Sequence, residues 1–380
     1  MDVDLSEDQE FFRDTARKFL EAEVPIETVR RLADTPAGFE REWWRRGAEL
    51  GFTSMLVPEE HGGASLSGEG LLDLAIVAEE MGRRVAPGPL IATNTVAAAI
   101  AGAGTAEQQA EWLPPIVAGE RLASWALTEP GGRWETHDLA LEARRVDGGY
   151  RLFGAKEPVE AAADVDWILV TARGEAGPVQ ALVPRDSEGL AITRLESLDL
   201  VRRHDALRFE GVFVPDASVL GAPERAALDV EHQLQVALVL QQAETVGATE
   251  RMFESTLEWM FDRFSFGRPL ASYQALKHRM ADMKLMHESS AAAVTAAARA
   301  VQAGDPEAAL KVSAAKVWVA EKEPFVLQEC VQFHGGLGLT WEYDLHLYLR
   351  RATTNRMLYG TPRDHRERIA RGLGADEAKP

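Results

Sequence analysis

Two short stretches carry most of the chemistry open to this chain. Gln332-Phe333-His334-Gly335-Gly336-Leu337-Gly338 follows a helix-like segment and leads into Thr340-Trp341-Glu342. Glycines at 335, 336 and 338 allow a backbone turn to come close to a phosphate, because no Cβ stands in the way. Upstream, Arg263-Phe264-Ser265-Phe266-Gly267-Arg268-Pro269 offers a guanidinium, a planar fork that makes two parallel charge-assisted bonds to phosphate oxygens. One acid stands in apolar company: Glu244, within Gln242-Ala243-Glu244-Thr245-Val246-Gly247. No histidine or acid cluster has the spacing of metal ligands. No Gly-x-Ser-x-Gly elbow marks a hydrolase.

Helices and a β-domain must position these groups. Residues 1–118 read as an N-terminal helical domain. Ser6 caps a first helix, with Phe11, Phe12, Ala16, Phe19 and Leu20 at helical spacing. A helix over Leu71–Met81 follows the loop Val57-Pro58-Glu59-Glu60-His61-Gly62-Gly63, and a small-residue helix covers Ala92–Ala101. Residues 119–222 switch to strands, with a hairpin at Asp147-Gly148-Gly149 and apolar runs at 167–170, 179–183, 191–195 and 207–214. This predicts a middle β-barrel or sandwich. Residues 223–380 return to long helices with several apolar sides, a C-terminal four-helix bundle with oligomer contacts. The expected fold class is therefore α+β, in three domains.

Composition narrows the function. The chain has 380 residues, 46% of them hydrophobic, and its formal charge is 41 minus 60, or −19. So acidic a surface does not hold nucleic acid by neutralising phosphates, although a local arginine can bind one anionic cofactor. The single cysteine, Cys330, reads as a buried core residue and suits a reducing cytoplasm. Residues 1–20 lack the apolar core of a signal peptide, and no apolar run approaches a membrane span.

Taken in order, the two phosphate-binding stretches and several weaker pieces resemble the acyl-CoA dehydrogenase family over nearly the whole chain. The weaker pieces are Leu56-Val57-Pro58-Glu59, Glu79-Glu80-Met81-Gly82, Thr128-Glu129-Pro130-Gly131 and Phe209-Glu210-Gly211-Val212-Phe213-Val214-Pro215. The resemblance implies an FAD clamped across a subunit interface. Arg263 would pair with its pyrophosphate, Phe266 and Gln274 would hold the adenosine half, and Gln332, Gly335 and Gly336 would offer further donors. Thr361 would bond another phosphate oxygen. Trp125, Leu127 and Thr128 would face the flavin. The implied reaction is α,β-desaturation of an acyl-CoA thioester, with a carboxylate taking the α-proton and flavin N5 the β-hydride. Implied partners are a homo- or hetero-tetramer with a related chain, and an electron-transfer flavoprotein. The C-terminal phrasing, through Leu347-Tyr348-Leu349-Arg350-Arg351, is similar to bacterial members that pair two different chains, some acting on steroid side chains.

Three departures qualify this. The family's usual glutamate falls on Tyr359, and a phenol with a pKa of about 10 is a poor base at neutral pH. The alternative family position falls on Ala237, which leaves Glu244, two turns along the same helix, as the candidate base. Pro158 and Glu160 stand where a tryptophan and a hydroxyl would meet the flavin. Arg133 and Trp134 would fill space normally given to small residues. His334 reads as packing near the adenosine, and His346, Arg350 and Arg351 as interface salt bridges. The sequence thus leaves three readings: a dehydrogenase in its own right, a non-catalytic partner subunit lending the adenosine side of the site, or an oxidase or monooxygenase on the same fold.

Overall fold

The computed structural model describes residues 4–374. Ser6 opens the chain's first helix with a reciprocal cap: its Oγ accepts from Gln9 N at 3.2 Å, and Gln9 Oε1 accepts from Ser6 N at 3.1 Å. Six α-helices make up the first third: α1 (Glu7–Glu23), α2 (Ile26–Ala33), α3 (Arg41–Glu49), α4 (Gly70–Arg83), α5 (Leu90–Ala103) and α6 (Ala106–Val117). Phe12, Ala16 and Leu20 form the buried stripe of α1 with Phe19 partly buried beside it, whereas Phe11, read with them, points to solvent.

Eight strands come next: β1 (Ala123–Ala126), β2 (Glu142–Val146), β3 (Gly149–Glu160), β4 (Trp167–Arg173), β5 (Pro178–Pro184), β6 (Leu190–Arg194), β7 (His204–Pro215) and β8 (Val219–Leu220). They form one mixed sheet in the order β6-β7-β3-β2-β4-β5-β8, with β1 paired in parallel to β4. The hairpin read at residues 147–149 is the β2–β3 turn, where Val146 pairs with Gly149.

The last third is helical: α7 (Ala226–Asp262), the small hairpin β9 (Phe264–Ser265) and β10 (Arg268–Pro269), α8 (Gln274–Gln302), α9 (Ala308–His334), α10 (Leu345–Met357) and α11 (Pro362–Gly372). The 37 residues of α7 run about 55 Å. They pack so closely on α4 that glycine is required on both sides. A Cβ at Gly82 would lie 1.9 Å from Glu244 O, and one at Gly247 would lie 1.9 Å from Glu79 O. This crossing fixes the turn of α7 that carries Glu244. Cys330 is fully buried in α9, in line with its reading as core.

Candidate functional site

The first group of expected site residues gathers around one indole. Arg263 ends α7, and its carbonyl accepts from Leu270 N at 2.8 Å, which closes the β9–β10 hairpin. Phe266 stands at the hairpin tip, 97% exposed, with φ +50°. Trp259 lies one turn before Arg263. Its Nε1 donates to Phe333 O at 3.2 Å, and its ring stacks on His334 at 5.3 Å. The Arg263 guanidinium lies 5.8 Å from the same ring. His334 is a packing residue: Nδ1 faces Cys330 O at 2.8 Å and Nε2 meets the Tyr343 hydroxyl at 2.7 Å. Beyond it, Gly335 (φ +60°) and Gly336 face open space, with no atom within 4 Å of a Cβ built on either. Gln332 is exposed, as is Gln274, the first residue of α8. Arg263 and the Gly335–Gly336 turn thus flank Trp259, and Phe266, Gln274 and Gln332 are exposed on the surrounding segments. A guanidinium, two amides and an open glycine turn suit a diphosphate and adenosine.

The second group lies inside the molecule. Trp125 on β1 is 2% exposed, and its Nε1 donates to Thr171 Oγ1 at 3.1 Å. Leu127 and Thr128 follow, both buried; their carbonyls accept from Lys156 Nζ at 2.8 Å and Glu157 N at 2.9 Å. Lys156 also reaches Glu129 at 2.8 Å, and Glu129 accepts from the backbone of Ala140 and Leu141. Burial lowers the Lys156 pKa to about 8, against the pull of Glu129. This frame holds the turn at Gly131 and Gly132 (φ +85° and +80°) that aims the next residues. Arg133 points to solvent near Asp138, contrary to the expectation that it fills the site. Trp134 points in, 6% exposed, and stacks on His365 at 5.2 Å.

The cleft between these elements is filled by side chains. Trp125 stacks directly on Tyr359, centroids 5.6 Å apart and planes 27° apart. A planar ring between them needs two carbon contacts of about 3.5 Å, about 7 Å in all, before any thioester is added. Tyr359 is held at φ +56°, and burial, then Glu160, raises its pKa. Trp134 occupies the adjoining space, so that even a methyl on Gly360 would lie 2.7 Å from it. Behind Trp134 only 120 Å³ remains, lined by Glu135, Val230, Leu234 and Arg368. Small-molecule sites usually offer about 300–1,000 Å³. Larger depressions, of 460 Å³ beside Leu71 and Val236 and of 540 Å³ beside Arg194 and Arg203, touch none of the expected site residues. An isoalloxazine does not fit this cleft as its side chains stand, whereas the outward face suits the adenosine diphosphate half of FAD.

Glu244, the candidate base, is the hub of a buried ion network. One oxygen accepts from Arg202 Nη2 at 2.5 Å and Arg351 Nη1 at 2.8 Å; the other accepts from Asn355 Nδ2 at 2.8 Å. Arg202 also pairs with Glu160 at 3.0 Å, and Arg351 with Asp199. Burial would lower the Arg202 pKa, but Glu160, Glu244 and Asp199 outweigh it and raise it. Burial raises the Glu160 pKa despite Arg202. Glu160 therefore turns to Arg202, and Arg351 is a core residue rather than an interface salt bridge. Ala237 is buried on the same helix, two turns earlier.

Below the cleft, Lys316 is buried and donates to Gln241 Oε1, Asn355 O and Leu358 O at 2.5, 2.6 and 3.1 Å. Burial lowers its pKa to about 7. His365 bridges Tyr359 O (2.9 Å) and Ser313 Oγ (3.2 Å). Thr361 caps α11, its hydroxyl on Asp364 at 2.8 Å. It does not join the Arg263 group. Ser313 and Lys316, which meet His365 and Leu358 on either side of it in the chain, stand about 30 Å along α9 from His334.

Sequence reasoning did not find Asp199, Arg202, Asn355 or Lys316. One signal was available. Leu347, Tyr348, Arg351, Ala352 and Asn355 share the helical spacing of a buried face, and all five are buried.

Comparison with known proteins agrees with this architecture. Residues 6–120 match the family model "Acyl-CoA dehydrogenase, N-terminal domain", and 230–374 match "Acyl-CoA dehydrogenase, C-terminal domain". The chain is 30% identical over 366 residues to acyl-CoA dehydrogenase IpdE2 of Mycobacterium tuberculosis, covering 96% of each. Among solved structures it is similar to a chain of the ChsE4–ChsE5 complex of M. tuberculosis (TM-score 0.89, 28% identity, 100% of both chains). It is also similar to a chain of a variant Tcur3481–Tcur3483 steroid ACAD (TM-score 0.89, 28% identity, 98% and 99% of the two chains). Among the described residues no helix is long and apolar enough to cross a membrane, and no group of three or more His, Cys, Asp or Glu side chains could hold a metal ion. With helical, β and helical domains in the family's order and both family models matched, the chain belongs to the acyl-CoA dehydrogenase family, FAD-binding oxidoreductases that act on CH–CH bonds.

Proposed function

We propose that this chain works as the nucleotide-lending subunit of a heteromeric acyl-CoA dehydrogenase. The observation that carries this reading is the contrast between its two half-sites. The outward face with Arg263, Phe266, Gln274, Gln332, Gly335 and Gly336 is open, while Trp125, Tyr359 and Trp134 fill the ring cleft. The two halves stand about 30 Å apart along α9, so one chain's Arg263 face serves a cofactor whose ring lies in a neighbour.

In this reading the partner is a related chain with an open ring cleft and a catalytic glutamate. The bound cofactor supplies the hydride acceptor for α,β-desaturation of the thioester. This chain's residues position it. The Arg263 guanidinium pairs with the diphosphate, the Gly335–Gly336 backbone approaches without steric conflict, and Phe266 and Gln274 hold the adenosine. Glu244 acts here as the tie between β-domain and helices, since both its oxygens are already engaged. The likeness to a steroid dehydrogenase chain and to a chain of a two-component complex supports a bulky, ring-bearing acyl-CoA as substrate class and a heterotetramer as assembly. An electron-transfer flavoprotein is the proposed acceptor.

The test is co-purification with candidate partner chains, reading flavin absorbance per chain and anaerobic bleaching by an acyl-CoA. Arg263→Ala in this chain should weaken FAD retention by the complex roughly 10- to 100-fold, from loss of charge-assisted bonds worth about 1.5–3 kcal/mol. A chain that by itself is yellow and bleached by an acyl-CoA would overturn the proposal. Rapid air reoxidation with peroxide release would instead favour an oxidase.

A further inference from the structure

Resting on that reading, the structure carries one step further. The backbone walls of the ring cleft are held by hydrogen bonds from groups other than the Trp134 and Tyr359 side chains. Lys156 and Glu129 hold the Thr128–Arg133 turn through Leu127 O and the backbone of Ala140 and Leu141. On the other wall, Lys316 holds the carbonyls of Asn355 and Leu358, and His365 holds that of Tyr359. The Tyr359 backbone sits at φ +56°, where an aromatic side chain is strained and glycine is at ease. Trp134 is anchored by stacking on His365, with the Arg368 guanidinium 5.7 Å from its ring. Removing its indole would join the vacated space to the 120 Å³ cleft behind it.

We infer that Trp134 and Tyr359 are the two residues that decide whether this chain holds a flavin ring, closing a cleft whose backbone is otherwise intact. The cleft is shut by side chains, not lost by rearrangement of the fold.

The probe is lumiflavin, a flavin ring without ribityl or nucleotide, which bypasses the Arg263 face. The full chain and its Trp134→Ser/Tyr359→Gly variant are titrated with lumiflavin, following quenching of its fluorescence. The same proteins are then loaded with FAD and gel-filtered. The double variant should bind lumiflavin at least about tenfold more tightly than the unmodified chain and should retain FAD absorbance. Tyr359→Gly alone, at a position whose backbone favours glycine, should give part of the gain and serves if the double variant fails to fold. A folded variant, by circular dichroism and melting, that binds the probe no better than the unmodified chain overturns the inference. Equal, tight binding by both proteins overturns it as well. The first result leaves the lending role intact as long as Arg263→Ala still strips FAD from the complex, whereas the second removes the closed cleft on which that role also rests. If Arg263→Ala has no effect there, the lending role fails while this inference stands on the lumiflavin result.

Discussion

Replacing Glu244 by glutamine separates its two readings, base or tie. The amide keeps one oxygen, which can still accept from Arg202 and Arg351, but both contacts change from ion pairs to bonds between a charged donor and a neutral oxygen. That costs about 1 kcal/mol each. The new NH₂ then faces Asn355 Nδ2, donor against donor, where a carboxylate oxygen accepted at 2.8 Å. A buried mismatch of this kind costs about 1–3 kcal/mol. The total, about 3–5 kcal/mol, agrees with the usual cost of breaking a buried pair from one side. One term offsets it. With all groups ionised, the network sets Glu160, Asp199 and Glu244 against Arg202 and Arg351, so losing one negative charge lets Glu160 ionise more readily. We therefore expect a net loss near the lower end, about 3 kcal/mol, and a fall in melting temperature of roughly 4 °C, since an unfolding entropy of about 2.1 cal/mol/K per residue gives about 0.8 kcal/mol/K for a chain of this size. The assay is differential scanning fluorimetry of the assembled complex, with anaerobic flavin reduction by an acyl-CoA measured well below the melt. Glu160→Gln serves as the contrast and should shift melting less, since Glu160 meets one guanidinium, Arg202 at 3.0 Å, where Glu244 meets two and an amide. Melting unchanged in Glu244→Gln, with flavin reduction down about 10²–10⁴-fold as for loss of a general base, would refute this reasoning and restore Glu244 as the base.

Other consequences can be checked more simply. Gly82→Ala and Gly247→Ala each place a methyl 1.9 Å from a carbonyl oxygen across the α4–α7 crossing, and each should cost several kcal/mol or abolish soluble expression, read by melting or yield. His365 and His204 are buried with pKa values lowered to about 4, chiefly by desolvation, aided by Lys316 and Arg202 respectively. Their folded values lie below the ordinary 6.5, so the stability they permit is present above pH 6.5 and is lost as pH falls towards 4. A melt series should show that slope, up to about 3 kcal/mol per group, and His365→Gln should flatten part of it. Cys330, buried with its thiol pushed up to about 12, should resist aromatic disulfide reagents until the chain unfolds.

What the sequence disclosed follows from the range of the interactions involved. Local signals were readable: the Ser6 cap, the glycine turn of the β2–β3 hairpin, and the stripe of α1 each depend on neighbours within a few residues. The outward-facing arginine and glycine turn were readable for the same reason, because Arg263 and the Gly335 turn each form a short motif. The interior of the site was not. Arg351 looked like one member of a basic helix face, since its partners Asp199 and Glu244 come from 152 and 107 residues away. The sequence showed that Arg133 and Trp134 are large, but only the turn at Gly131 and Gly132 decides that the indole enters and the guanidinium leaves. The Trp125–Tyr359 stack depends on the docking of two domains, which no local pattern encodes.

The hairpin tip has a consequence for how such a protein is made in a cell. Phe261, Phe264 and Phe266, with Leu339 and Trp341 nearby in the chain's last turns before α10, all project from an uncovered single chain. Copies left uncovered would carry sticky aromatic knobs into a crowded milieu and be lost to aggregation or proteolysis. In the heteromer proposed above, balanced synthesis of the two chains, most simply from adjacent reading frames on one messenger, would keep this surface covered.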